Sequence, residues 1–489
     1  MPTIFSGINT ALRALMAQQS GLQTTAHNIA NANTPGFSRQ QALMSASTPF
    51  SMPGFNRPGG AGQIGTGVDI TFIRRIRDLF LDGQIRVETG TAGHWEITRD
   101  TLERVEVVFM EPSESGLNSL MGRFWNSWQE LSKNAESTPV RTTVRETGIA
   151  LSDAIRHSYD QLSSLKRDLD LTLKNKVREI NTLARQIADL NVQIANIKQS
   201  GHQPNDLKDQ RDVLLDNLAR LVPFSLEDYA DAQGNYTGAV KVQVAGQDLV
   251  VWGQGIPRSD QVRELETVEQ DGRLVPRWSE VDGTAPLLEV SSGQLAGVLS
   301  SRDNLVQNYI DKLDVLARGL ISRINQVHSQ GFDLDGNPGG DFFTGTGAAD
   351  MQVEPLLAND VRLIAASLGS GPGDNNNALQ ILLLRSARMV LEDGAFMPAP
   401  VGAGGTTFDN YYKDFIAELG VAAHEAGRMA VNQQALVEQL QNRRESISGV
   451  SLDEETAKLI LYQRAYQAAA RVISTIDEML NTVVNGLKR

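Results

Sequence analysis

The chain has 489 residues, enough for two to four domains, and its 45 basic against 58 acidic side chains leave a net charge of −13. That balance disfavours a nucleic-acid or anionic-membrane partner. The lack of any cysteine excludes disulfides, thiolate metal sites and cysteine nucleophiles.

At the N-terminus Phe5, Ile8, Leu12, Leu15, Leu22, Ala26 and Ile29 recur at steps of three and four, with Gln19 the one polar interruption. A 3.5-residue apolar period predicts a helix with one coiled-coil seam. No basic region, apolar run and small-residue cleavage site precede it, so no cleaved signal peptide is expected. The helix should stop at Asn31-Ala-Asn33-Thr34-Pro35-Gly36-Phe37, where Pro-Gly fits the centre of a type II turn. Asn28, Asn31 and Asn33 are suited to capping, since their amides can bond nearby backbone groups. Ser45 to Gly67 reads as irregular. Within it Gly60-Ala-Gly62-Gln-Ile-Gly65 matches a dinucleotide pattern, but a Pro-rich loop precedes it and a strand-like run follows, the wrong context for a phosphate site. Val68 to Ile73 reads as a strand, and Arg74, Arg75 and Arg77 as its solvated edge. Helical character resumes from Arg77 to about Ser132, broken at Pro112 and Gly116.

The longest predicted helix spans 147–199. Ile155, Tyr159, Leu162, Leu169, Leu173, Ile180, Leu183, Ile187, Leu190, Ile194 and Ile197 hold one heptad frame, with Lys166 and Lys176 in two slots. Ser200 to Pro204 breaks it, and a second helix over Asn205 to Leu221 should return antiparallel. Pro223 to Val290 changes to period two in Val240, Val242, Val244, in Leu249 to Trp252 and in Leu287 to Val290, a β-rich unit. Helix is expected over 293–330, short strands and turns over 331–373, helix over 375–392, a loop over 398–405 and a long helix over 406–446. Gly449-Val450-Ser451 then introduces a last helix whose stripe is Leu459, Tyr462, Tyr466, Ala469, Ile473, Ile476, Leu480, Val483 and Leu487.

The expected fold is mainly α with a β-rich subdomain (α+β). Residues 1–40 and 450–489 form a terminal coiled-coil domain, and 41–221 with 291–449 a helical stem. Residues 222–290 form a projecting β-rich outer unit, with 331–373 a candidate addition to it. One apolar stripe offers little burial against the entropy of ordering a terminal helix, so both ends are expected to order fully only on docking to neighbours.

Nothing in the pattern converges on catalysis. The six histidines, His27, His94, His157, His202, His328 and His424, are scattered. Asp333-Leu-Asp335-Gly-Asn337 imitates a calcium loop, but Pro338 stands where a Gly is needed and Thr344 where a Glu is needed, so an ordinary turn is the reading. No catalytic residue, cofactor or metal is expected, and the longest aliphatic run, Ile381 to Leu384, is far short of a membrane span.

The run Ala26-His-Asn28-Ile-Ala-Asn31-Ala-Asn33-Thr-Pro35-Gly36-Phe37-Ser-Arg39 resembles the N-terminal signature of bacterial flagellar axial proteins, shared by rod, hook and hook-associated members. Ser448-Gly-Val-Ser-Leu-Asp-Glu-Glu455, followed by Tyr462 to Leu480, agrees at the far end. Pro204 to Asp212 and Gly331 to Phe343 agree in the middle. Within that family the pattern is most similar to the hook-associated branch. The resemblance implies a non-catalytic subunit of the layer between hook and filament, required for filament attachment and exported through the flagellar secretion apparatus. Another axial protein (hook, rod or second hook-associated) is the alternative. The partners it implies are further copies of the chain, the hook protein, the second hook-associated protein and a small export chaperone on the C-terminal helix. A secreted enzyme or adhesin with coiled-coil ends would need a convergent polar pocket, which the pattern does not supply. The terminal stripe residues, with Asn28, Asn31, Asn33, Pro35, Gly36 and Phe37, are the candidate assembly residues.

Overall fold

The computed structural model describes residues 4–49, 65–109, 111, 113–114, 116–230, 234–251, 261–279, 286–369, 371, 373–392, 395–399 and 404–486. Most of the Gly60 to Gly65 motif, Trp252, the middle of the 398–405 loop, the Phe5 side chain and Leu487 lie outside the described residues. No described helix is long and apolar enough to cross a membrane.

The architecture is built on α4 (Thr138–Gln199), 62 residues long, or about 93 Å at 1.5 Å per residue. Pro139 opens it at a position where the missing N–H costs nothing, and Gly201, at φ +81°, follows its end. Its buried seam runs Val144, Leu151, Ile155, Leu162, Leu165, Leu169, Leu173, Val177, Ile180, Ala184, Ile187 and Ile194. Between Leu165 and Val177 the steps are all four residues, a stutter that the single heptad frame overlooks. The stutter takes Lys166 and Lys176 off the seam. Lys166 bonds Gln307 (2.6 Å) and Lys176 bonds Glu179 (3.1 Å). Ile197, the last residue of the expected stripe, is exposed.

Around α4 pack α2 (Leu79–Phe109), α3 (Leu117–Lys133) and α5 (Asn205–Leu221). With them run α6 (Gly293–Ser300) and α7 (Gln307–His328), which the π-helical turn Ser301–Val306 joins into one rod. At that turn Arg302 is buried and donates to Asp170 and to the Leu274 carbonyl. The 41-residue α10 (Phe408–Ser448) lies along α2, with Phe109 edge-on to Phe415 at 4.8 Å.

The β-rich segment comprises β3 (Ser225–Ala230), β4 (Tyr236–Val244) and β5 (Gln247–Val250) in one antiparallel sheet. A separate hairpin pairs β6 (Leu265–Gln270) with β7 (Arg273–Trp278). Ala245-Gly246 and Asp271-Gly272 turn these hairpins with both φ angles positive, as tight hairpins require. The segment lies along the last third of α4 rather than standing off the stem. Two buried asparagines on α4 each imitate a strand partner. Asn191 exchanges bonds with Val240 N–H and C=O (3.2 and 2.7 Å), and Asn181 does the same with Leu265 (2.9 and 2.8 Å). Val242, Leu249 and Trp278 thereby join the stem's own core.

Segment 331–373, which holds the paired short strands β8 (Phe343–Thr344) and β9 (Gln352–Val353) and the short helix α8 (Pro355–Asn359), sits near the opposite end of α4, so it does not extend the β-rich unit. Arg141 donates to the carbonyls of Arg362 and Ile364, and Gly148 lies under Phe342. There Phe124, Trp125, Trp128, Phe342, Phe343 and Phe408 form an aromatic cluster. Beside it buried His328 bonds the Gly340 carbonyl (2.6 Å) through Nδ1 and accepts from Ala365 N–H (2.9 Å) at Nε2. The helix expected over 375–392 ends early. Asn376–Leu384 is α9, but Met389–Glu392 (β10) pairs with Ala395–Pro398 (β11), because bridging to Thr406 and burial of Phe396 favour extended backbone.

At the ends of the chain lie α1 (Ile4–Ala30), the hairpin of β1 (Gln40–Ala46) with β2 (Val68–Arg75), and α11 (Leu452–Gly486). The two terminal helices pair with each other, as the sequence predicts.

Candidate functional site

The α1–α11 pair is antiparallel and its register is fixed by three contacts. A Cβ on Gly7 would meet Ile476 Cδ1 at 3.3 Å, a Cβ on Gly21 would meet the Tyr462 ring at 3.1 Å, and the Asn28 amide bonds the Glu455 carboxylate at 2.8 Å. Fourteen residues forward on α1 match fourteen back on α11, and seven more match seven. Leu459, Tyr462, Tyr466, Ala469, Ile473, Ile476 and Leu480 all lie buried or half-buried on α11. Val483 is 49% exposed because it lies past the start of α1.

The α1 side departs from expectation. Its buried positions are Ala11, Ala17, Gly21, Thr24, Thr25 and Asn28. Ile8, Leu15, Leu22 and Ile29 are half-buried on the flanks, Ala26 is exposed, and Leu12 is 41% exposed. The seam is thus shifted by about one position from the apolar stripe. Small residues on α1 let the large ones of α11 seat close to its backbone, so the large α1 residues are displaced outward. Leu12 and Met16, with Leu461, Val472 and Met479 of α11, leave apolar surface on the outside of the pair.

The turn after α1 is a docking hub. Asn28, 1% exposed, donates to Gln40 C=O and to Glu455, and accepts from Gln40 N–H (2.8, 2.8 and 2.9 Å). Glu455 is buried and its other oxygen takes Lys458 at 2.6 Å, so Lys458, off the apolar stripe, neutralises a buried carboxylate. Asn31 bonds the His27 carbonyl (3.0 Å) and accepts from Thr34 Oγ1 (3.2 Å), a capping role, whereas Asn33 is exposed and makes no such bond. Phe37 N–H closes on Thr34 C=O at 3.1 Å with Gly36 at φ +78°, the type II turn expected around Pro35. A Cβ on Gly36 would fall 2.2 Å from Val213 Cγ2, so this turn is pressed onto α5. Phe37, half-buried, stands edge-on to His27 at 5.4 Å.

Beyond the turn each residue grips a different element. Ser38 N–H donates to Asp209 (3.0 Å), and Arg39 bonds Glu454 (2.6 Å) while its N–H meets Ser448 C=O (2.8 Å). Gln40 donates to Asp206 (2.6 Å) and accepts from Asn205 (3.1 Å). Behind them Arg75 pairs with Asp209 and Asp212 (2.6 and 2.8 Å), Arg77 with Asp82 (2.6 Å), and Arg86 with Asp216 (2.9 Å). Arg444, from the end of α10, also reaches Asp216 (2.7 Å). Burial pushes the Asp212 carboxyl up, but Arg77, Arg75 and Arg86 outweigh it and hold the group below the usual range. For Asp209 burial wins over Arg75, and its carboxyl is raised. The basic run is therefore no solvated edge. Arg75 and Arg77, half-buried residues whose side chains are only 13% and 7% exposed, belong to an ion network, and only Arg74 is left at the surface, bonded to Gln41. Asp209, Asp212 and Asp216, three and four apart on α5, were the readable sign of it.

Asp333 accepts from Asp335 N–H, Asn337 N–H and the Asn337 amide (2.8, 2.8 and 3.1 Å), an Asx-type turn. Among the described residues no group of three or more His, Asp or Glu side chains is arranged to hold a metal ion.

Comparison with known proteins agrees with this organisation. The family described as the helical domain of the flagellar hook-associated protein FlgK matches residues 102–343. The flagellar basal body rod FlgEFG C-terminal family matches 441–487, and the flagella basal body rod family matches 8–37. Flagellar hook-associated protein 1 of Bacillus subtilis is 34% identical over 100% of the chain and 99% of its own length. The protein of that name from Salmonella typhimurium is 24% identical over 98% and 99%. Among solved structures, the flagellar hook junction protein FlgK from Burkholderia pseudomallei shares the fold, with a TM-score of 0.63 at 16% identity over 75% of this chain and 100% of that one.

Proposed function

The chain belongs to the flagellar hook-associated protein 1 family, and on that premise we propose that it forms the layer joining hook to filament. In that layer its terminal helix pair packs against neighbouring axial subunits. The observation that carries the reading is the two-sided terminal pair. One face of α11 is used up by α1, while Leu12, Met16, Leu461, Val472 and Met479 leave apolar surface on the other side. Exposed apolar surface of this kind marks a contact surface. The partners on this reading are further copies of the chain, the hook protein on one side and the second hook-associated protein on the other.

Before assembly the chain leaves the cell through the flagellar secretion apparatus. While α1 and α11 are apart, the stripe from Leu459 to Leu480 is bare, and a small export chaperone covers it. Chaperone and α1 compete for the same side chains, so release of one is coupled to docking of the other.

Electron microscopy of a deletion strain tests the reading. Hooks of normal length without filaments, filament monomer in the medium, and rescue by the wild-type chain are expected. A deletion strain that still carries filaments would refute it.

A further inference from the structure

The apolar surface outside the α1–α11 seam divides into two stripes. On α1 each residue of the large stripe follows a seam residue by one position: Ile8 follows Gly7, Leu12 follows Ala11, Leu15 follows Ala14 and Leu22 follows Gly21. On α11 a second stripe precedes the seam by one: Leu461 before Tyr462, Ala465 before Tyr466, Ala468 before Ala469, Val472 before Ile473 and Met479 before Leu480. One position is about 100° of turn in an α-helix. Because the helices are antiparallel, one step forward on α1 and one step back on α11 turn the same way in space. Two facing helices turned the same way present their stripes on opposite sides of the pair.

The remaining rows of the two helices are occupied or polar. The row one before the seam on α1 lies under the β1–β2 hairpin: Arg13 pairs with Asp69 (3.0 Å), and a Cβ on Gly67 would sit 3.3 Å from the Thr10 carbonyl oxygen. The row one after the seam on α11 is polar and exposed, with Gln463, Gln467, Ser474, Asp477 and Asn481. Each side of the pair therefore carries one bare apolar stripe, on which Leu12, Leu461, Val472 and Met479 are all exposed. Neither stripe contains a charge. The stripes also match: both step by four and three, and each has one polar member, Gln19 on α1 and Thr475 on α11. Where α1 offers large side chains, α11 offers Ala465 and Ala468. A single foreign partner on one side covers one stripe and leaves the other bare, whereas a copy of the chain on each side covers both.

We propose that the Leu12 stripe of α1 packs on the Val472 stripe of α11 in the next copy of this chain. The proposal rests on the assembly reading above and names the two faces that meet. Copies that point the same way set these helices antiparallel. Gln19 then meets Thr475, and the same register sets Leu15 on Met479, Leu22 on Val472, Ala26 on Ala468 and Ile29 on Ala465. The contact joins two different surfaces, so it propagates around a ring or along a helical layer instead of closing as a pair.

The chain has no cysteine, so introduced thiols report alone. A chain carrying Leu22→Cys and Val472→Cys, oxidised in assembled flagella, should give a ladder of disulfide-linked copies on a denaturing gel. The bond cannot form within one copy. Leu22 is level with Leu461 in the pair, about 16 Å along the axis from Val472, and a disulfide needs Cα atoms within about 7 Å. Leu15→Cys with Met479→Cys should behave alike, and each single variant should give no linked pair. A single variant that links to itself would overturn the proposal, because it marks a two-fold contact. So would flagella that carry filaments but yield no ladder from either double variant, a result that leaves the assembly reading standing. In the isolated chain Leu22→Asp and Val472→Asp should each keep wild-type hydrogen exchange over 6–30 and 452–486, while filament attachment is lost. Loss of terminal protection in either variant, or filaments on both, would also overturn it.

Discussion

Replacing Asn28 by alanine should release the terminal helix pair while leaving the stem folded. The side chain makes three hydrogen bonds in a site closed to water, to Gln40 N–H, to Gln40 C=O and to the Glu455 carboxylate. Alanine leaves all three partners buried. At roughly 1–3 kcal/mol for each neutral group and more for a charged one, the loss is about 3–5 kcal/mol after water partly re-enters. The pair itself buries few side chains fully, Ala11, Ala17 and Ala469 being its only fully buried apolar ones among the described residues. It has no margin for such a loss. Hydrogen exchange at short labelling times, read on peptides from 6–30 and 452–486 against peptides from 144–194, separates the two regions. The terminal peptides should lose all protection and the α4 peptides should be unchanged. Asn28→Asp keeps the shape but sets a second carboxylate against Glu455, and it should be no better. Terminal protection within about twofold of wild type in Asn28→Ala would refute the reasoning, because opening by even 1.4 kcal/mol changes it tenfold.

The wild-type chain should itself be cut by trypsin first at Arg13, Lys458, Arg464 and Arg471 and only later within the stem; simultaneous cleavage in α4 would contradict this. Replacing both Ile473 and Leu480 by Asp should abolish chaperone capture and filament attachment together, since an unpaired buried carboxylate costs several kcal/mol. Retention of either would break the shared-face argument. Asp212→Asn leaves Arg75, Arg77 and Arg86 short of a counter-charge and should cost about 3–5 kcal/mol in urea unfolding, whereas exposed Asp453→Asn should cost almost nothing. Burial holds the His328 imidazole down at about 4, below its ordinary 6.5. Stability is therefore complete above pH 6.5 and falls by about 3 kcal/mol as the pH drops to 4, a slope that thermal melts should show and His328→Gln should remove.

Helices were legible because period 3.5 is written in large apolar side chains, and nearly every long element falls within a few residues of its predicted span. What apolar pattern does not encode is how near two backbones come. On α1 Gly7 and Gly21 come close to α11, in a row with Ala11, Ala14, Thr25 and Asn28 that also follows steps of three and four, with Gln18 as the one larger member. A stripe of small residues carries no hydrophobic signal, so the adjacent row of Ile8, Leu12, Leu15 and Leu22 reads as the seam. Arg75 and Arg77 mislead in the same way. Charge in a short strand reads as solvent exposure unless its partners, 130 or so residues away on α5, are known to fold against it. The hub around Asn28 was recognisable only as a motif, because its bonds join residues separated by 12 and by 427 positions.

Those distant bonds also explain why one register of the terminal pair wins. Small residues alone discriminate weakly against sliding, since Gly7, Ala14 and Gly21 recur every seven positions and differ by a single methyl. Slipping one heptad in one direction sets Asn28 opposite Tyr462. Slipping in the other sets Glu455 opposite Gly21, away from the Asn28 amide. Either leaves a buried polar group without its partner, at a cost of order 1–3 kcal/mol or more for the carboxylate. A buried polar contact in an otherwise apolar seam therefore selects the register, as single polar seam residues do in coiled coils. Because the same amide also holds Gln40, whose side chain is bonded to Asp206 and Asn205, the register of the pair and its seating on α5 are set by one side chain.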